Sequence, residues 1–275
     1  MAVKHTGEEI RRDTRRRVRR RRGNRALYSA LLLLFLVVAG VVLSLTVLFK
    51  IERVTVVGTD KYPPDEVAAA SGILPGENLF RIDKKAAVEN ILAQYPYLEA
   101  VEVHRRLPSA VQIDVIQSTP SAAIALGDEF LLITRDGKVL ERGVMYIPED
   151  ILLVSGVDAP AVRPGDNLSE AAGEQLVMLG YLFDAMADTE FQEFTNVDIS
   201  NRLNMKVIYE NRLVLELGTE ADLPYKLDFI REMLQNHIAA DAEGLIDATN
   251  AQKSRVSFTE MPLERALEEI GRAHV

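Results

Sequence analysis

The four histidines of this chain, His5, His104, His237 and His274, are the side chains best suited to move a proton or hold a metal near neutral pH. They are spread over a basic leader, a strand, a helix end and the tail, and no metal-ligand spacing joins them. There is no cysteine, so thiolate nucleophiles, cysteine metal sites and disulfides are absent. The chain contains no Gly-x-Ser-x-Gly elbow, no phosphate-binding Gly-x-x-x-x-Gly-Lys loop and no His-Glu-x-x-His helix. A serine beside a lysine occurs at Lys253-Ser254, but its neighbours are polar and read as loop. Acids are plentiful, yet most fall in turns or on polar helix faces. The sequence therefore predicts no catalytic, cofactor or metal site and no small-molecule substrate. It points to a protein that works by contact.

The elements that present such contacts begin with a sharp junction. Residues 1–25 hold Lys4 and ten arginines against Glu8, Glu9 and Asp13, a net charge of +8. Ala26 to Phe49 then runs without a charge. As a helix it is about 36 Å long, enough to cross a hydrocarbon core of about 30 Å with some tilt. A signal peptide would have a shorter apolar region ending in a small-x-small cleavage site, and none follows here. Positive charge stays on the cytoplasmic side. The expectation is a single-pass anchor at 26–49 with a cytoplasmic N-terminus and residues beyond 50 outside. The arginines set orientation on a solvated tail, or alternatively recruit anionic lipid or nucleic acid. With the whole chain at −9, the exterior is acidic, which excludes nucleic-acid binding there by phosphate neutralisation.

Beyond the span, Ile51–Val57 alternates β-branched residues and stops at Gly58, a strand. Pro63-Pro64-Asp65-Glu66 starts a helix that ends near Ser71. Asp83 caps a second helix with Ala87, Val88, Ile91, Leu92 and Tyr95 on one face, ended by Pro96. Val101 and Val103, then Val111, Ile113 and Val115, mark two strands joined by a turn at Arg105-Arg106-Leu107-Pro108. The order is β-α-α-β-β. Further on, Phe130–Thr134 and Lys138–Glu141 flank a hairpin turn at Arg135-Asp136-Gly137. Strands are predicted at 152–154, 194–199, 205–209, 213–217, 245–248 and 256–258, and helices at 169–187 and 223–238. The irregular alternation indicates an α+β class. The tail from Met261 reads either as disordered or as a short appended helix.

This order after a single span resembles the POTRA domain of the bacterial cell-division family FtsQ/DivIB. The matching stretches are Val57-Gly58, Pro75-Gly76-Glu77-Asn78-Leu79-Phe80, Pro96, Val101-x-Val103-x-Arg105-Arg106-Leu107-Pro108, Ile113-x-Val115 and Pro120-x-Ala122. The chain departs from the family at Gln117-Ser118, where Glu-Arg is usual, and at Thr134, where an acid is common. The resemblance implies a basic cytoplasmic tail at 1–25, a transmembrane helix at 26–49, a POTRA domain at 50–118, a second β-rich α+β domain at 119–260, and a tail at 261–275.

It also implies a function: a non-enzymatic division scaffold in the cell membrane at the septum, type II in topology, that helps position or regulate septal peptidoglycan synthesis. Its partners would be DivIC/FtsB-like and FtsL-like division proteins. The family's partner-binding end maps to Gly244–Asn250 and Arg255–Thr259. A terminal strand offers unpaired edge amides to a second chain. The residues singled out are Asn250, Val256, Ser257 and Phe258, with Phe258 as an aromatic anchor. Val256 and Phe258 share one parity, so both face either a partner or the domain's own core. Arg105 and Arg106 offer a contact for an acidic partner or simply solvate a hairpin. A different class, a membrane-anchored extracytoplasmic enzyme or chaperone that uses POTRA for docking, is the alternative.

Overall fold

A computed structural model describes residues 27–43, 48–148, 151–158, 162–251 and 255–272. The basic leader, Lys253-Ser254, His5 and His274 lie outside the described residues. Helix α1 covers residues 27–43 of the expected span, and it is uncharged and exposed along its whole length. Residues 44–47 lie outside the description, and among the described residues no helix is long and apolar enough to cross a membrane.

The described chain falls into two compact units. One takes residues up to Val57, Tyr62–Val88 and Glu102–Asp114; the other takes Gly58–Lys61, Glu89–Val101 and Val115 onward.

The first sheet has three strands, β1 (Arg53–Val57), β2 (Leu98–Arg106) and β3 (Ala110–Gln117), in the order β1-β3-β2. β1 and β3 run parallel, with Val54 opposite Val111 and Val56 opposite Ile113. Between β1 and β2 come α2 (Pro64–Ala70) and α3 (Lys84–Gln94), giving the β-α-α-β-β order the sequence predicts. α2 has proline in its first turn followed by Asp65 and Glu66. Asp83 caps α3: its Oδ1 accepts the backbone N–H groups of Lys85 and Ala86, each at 3.1 Å. Alternation in β2 and β3 buries Val101, Val103, Val111, Ile113 and Val115.

Two boundaries around this sheet differ from expectation for a physical reason. β1 starts at Arg53 because buried Ile51 pairs elsewhere: its N–H donates to Glu77 and its carbonyl accepts from Gly76. β2 runs through Arg106, so Arg105 and Arg106 belong to a strand and not to the turn.

The second sheet is mixed and has nine strands: β4 (Ala122–Leu126), β5 (Glu129–Ile133), β6 (Val139–Val144), β7 (Leu152–Ser155), β8 (Phe194–Asp198), β9 (Met205–Tyr209), β10 (Leu213–Gly218), β11 (Gly244–Asn250) and β12 (Arg255–Glu260). Their order across the sheet is β12-β11-β10-β9-β8-β7-β4-β5-β6. Parallel pairs occur at β4–β7, β7–β8 and β10–β11; the others for which register is resolved are antiparallel. β4 was not predicted. Its Ala-Ala-Ile-Ala-Leu run lacks alternation because Ala122, Ala123 and Ile124 are all fully buried between β5 and β7.

Helices α4 (Ser169–Thr189) and α5 (Leu223–Asn236) pack together and send Leu179, Leu182, Leu227 and Ile230 into one core with the sheet. The tail forms helix α6 (Leu263–Arg272), which packs over β10 and β11 through buried Ala266. Of the two readings left open for this segment, the helix is the one realised.

Candidate partner-binding edge

β12 is the end strand of the nine-stranded sheet, paired through β11. Its register sets Ile246 opposite Phe258, Asp247 opposite Ser257 and Asn250 opposite Arg255, with an irregularity between Asp247 and Asn250. Alternation then divides the strand. Val256 and Phe258 are half-buried and pack against the domain core, while Arg255, Ser257, Thr259 and Glu260 are exposed. The core-facing reading of Val256 and Phe258 is therefore the one the packing supports. Gly244 makes room for the phenyl ring, since a Cβ there would stand 2.7 Å from it.

Toward the end of β11 three polar side chains bond to one another. Asp247 Oδ1 accepts the Thr249 N–H at 2.9 Å and the Thr249 hydroxyl at 2.6 Å. Exposed Asn250 donates through Nδ2 to Thr249 Oγ1 at 3.1 Å. On the other flank, Met261 N donates to the Glu243 carbonyl, and Leu263 N to Glu243 Oε2 at 2.9 Å, which turns the chain from β12 into α6. The structure thus brings Asn250, Val256, Ser257 and Phe258 onto one edge hairpin.

Arg105 and Arg106 lie apart from it, on β2. Arg105 donates through Nε to the Leu79 carbonyl at 2.8 Å and through Nη2 to that of Ile82 at 3.4 Å. Its half-buried guanidinium thus braces a loop. Arg106 donates to Gln112 Oε1 at 3.1 Å and is exposed.

The departures from the family pattern have local roles. Gln117 Oε1 accepts from the Thr59 hydroxyl at 3.2 Å and from the N–H groups of Asp60 and Lys61 at 3.3 Å, organising the turn after β1. Thr134 donates its hydroxyl to Asp136, and its backbone N–H to the Lys138 carbonyl, within the β5–β6 turn.

A polar cleft of about 680 Å³ is lined in part by Glu99, Ser118, Thr134, Arg135, Asp136 and Lys138. Lys138 Nζ donates to the Leu98 carbonyl at 2.7 Å, and burial holds its pKa below the ordinary lysine value. Ser118 Oγ is buried with no hydrogen-bond partner among the described residues. His104 sits near Glu102 and Asp114, 3.1 and 3.5 Å away, and His237 ends α5; neither lines this cleft. Among the described residues no group of three or more His, Asp or Glu could hold a metal ion.

The family model for the POTRA domain, FtsQ-type, matches residues 49–116. The chain is 27% identical over 222 residues to cell division protein DivIB of Clostridium botulinum, covering 79% of this chain and 86% of that protein. It is 32% identical over 157 residues to cell division protein FtsQ of Corynebacterium glutamicum, covering 55% of this chain and 69% of that protein. The solved extracytoplasmic domain of DivIB from Geobacillus stearothermophilus aligns with 45% of this chain and 98% of its own, at 14% identity and a TM-score of 0.28, too low to bear on the fold.

Proposed function

The chain belongs to the FtsQ/DivIB family of bacterial cell-division proteins, and from that membership we propose that it is a non-catalytic scaffold of the division machinery. In this reading residues 26–49 anchor it once in the cell membrane, with the arginine-rich tail inside and both folded parts outside. Residues 50–118 form the POTRA domain and 119–260 the β-domain. The protein gathers DivIC/FtsB-like and FtsL-like single-span proteins at the septum and so helps position septal peptidoglycan synthesis.

The observation that carries this reading is the free side of β12. A terminal strand has backbone groups facing away from the sheet, and an added strand can pair with them. The exposed Arg255, Ser257 and Thr259 side chains would meet the incoming chain, while Val256 and Phe258 hold the strand to its own core. The partner contact is thus backbone pairing plus the outward side chains, with Phe258 acting from behind.

The test is site-specific photocrosslinking in cells with the full-length protein. A photoreactive residue at Ser257 should capture a single-span division protein, and one at Glu141 on β6, the opposite end strand, should not. Equal capture at both positions, or capture only at Glu141, rejects the edge assignment.

A further inference from the structure

The loop at Leu74–Phe80 is fastened to Phe49, Lys50 and Ile51, at the end of the uncharged stretch. Leu79 N donates to the Phe49 carbonyl at 2.8 Å, Ile51 N to that of Glu77 at 2.8 Å, and Gly76 N to that of Ile51 at 2.7 Å. Lys50 and Asn78 form an antiparallel bridge between them. The Phe49 and Phe80 rings meet edge to face at 5.1 Å. Arg105 holds the Leu79 carbonyl from the other side.

Three large apolar side chains remain open on this small surface: Leu48 at 61%, Leu74 at 60% and Phe80 at 49% exposure. Clustered exposed apolar groups mark a contact surface. Lys50 and Arg81, next to Phe49 and Phe80 in the chain, are exposed. The nearby acids are engaged locally: Asp83 caps α3, and Glu77 Oε2 accepts the Leu74 N–H at 3.4 Å.

We infer that this loop rests in the outer interface of the membrane, with Phe80, Leu74 and Leu48 in the acyl–headgroup boundary and the neighbouring cations among lipid phosphates. The inference rests on the reading that 26–49 spans the bilayer. If Phe49 closes the span, a ring 5.1 Å from it stands at nearly the same depth. The polar interfacial layer is about 5–8 Å thick on each side, comparable with that separation. Aromatic and aliphatic side chains flanked by Lys and Arg are the composition that such a layer binds. The first folded unit would then be seated on the membrane by two points, the span and this loop, and its orientation fixed by them.

The absence of cysteine lets a single thiol report depth. Full-length protein carrying Leu74→Cys with a nitroxide, reconstituted in phosphatidylcholine–phosphatidylglycerol vesicles, is compared with Leu36→Cys in α1 and Leu203→Cys in the exposed turn after β8. The readout is accessibility to oxygen relative to a nickel chelate. The expected result is a ratio at 74 several-fold above that at 203, falling to the value at 203 when Phe80→Glu is added. A water-like ratio at 74 with an immersed label at 36 overturns the inference and leaves the span intact. A label at 74 that stays immersed in the Phe80→Glu variant overturns the part assigned to Phe80. A water-like label at 36 removes the span itself, and this inference with it.

Discussion

Phe258 lies directly over Gly244: a Cβ on Gly244 would stand 2.7 Å from the phenyl ring and 2.3 Å from the Thr259 carbonyl oxygen. The ring can swing aside, but the carbonyl belongs to the β11–β12 ladder and cannot. Gly244→Ala should therefore loosen β12, at a cost of about 1–3 kcal/mol typical of overpacking. Amide hydrogen exchange should speed up selectively in 255–260, with the rest of the sheet unchanged. Unaltered exchange there would mean that the strand is not held by this contact.

Glu216 and Lys206 form an ion pair at 3.4 Å on adjacent strands, with the lysine side chain only 3% exposed. Removing one member leaves a buried cation, which costs about 3–5 kcal/mol when burial is complete. Because Glu216 retains some exposure, Glu216→Ala should cost about 3 kcal/mol by denaturant unfolding. The apolar double variant Lys206→Met/Glu216→Leu should recover most of it. A double variant as unstable as the single one would show that the pair itself, and not the orphaned charge, sets the stability.

Tyr209 packs against Phe191 and Phe194, and burial, then the Glu210 and Glu193 charges, push its pKa from 10.0 up to about 12. The raised value favours the neutral phenol in the folded state. Its contribution is fully present below pH 10 and is lost as pH rises from 10 through about 12, because the unfolded chain ionises first. The two-unit shift amounts to about 3 kcal/mol at most. Tyr209→Phe should flatten the alkaline loss of stability in that window; an unchanged pH profile would contradict the assignment.

Gln117 gathers three donors from the turn after β1 onto one oxygen. Gln117→Glu keeps that acceptor and should be close to neutral in thermal unfolding. Gln117→Leu should cost about 1–2 kcal/mol through the lost hydrogen bonds. A leucine variant as stable as the native chain would mean that the turn holds without this residue.

Much of this fold is legible in local pattern. The Asp83 cap, the proline entry to α2 and the alternation in β2 and β3 are written in neighbouring residues, and the structure places them as read. What local pattern hides is pairing at a distance. The parallel partners β4–β7 and β10–β11 leave no short-range signature, and β4 reads as featureless because both its faces are covered. The site shows the same limit. The hairpin carrying Val256 and Phe258 is visible as two apolar positions of one parity, but which way that parity points depends on Gly244 and the core beneath. The hydrogen bonds of Arg105 are equally hidden, because its partners are backbone carbonyls at Leu79 and Ile82, which no residue type announces.

If this chain serves septation by assembling other proteins, its loss must block septum formation. Depleting it in its own host and imaging the cells tests that most directly. Filaments with segregated nucleoids and missing septa, reversed by the native chain, are the expected result. Normal septation in depleted cells would contradict it.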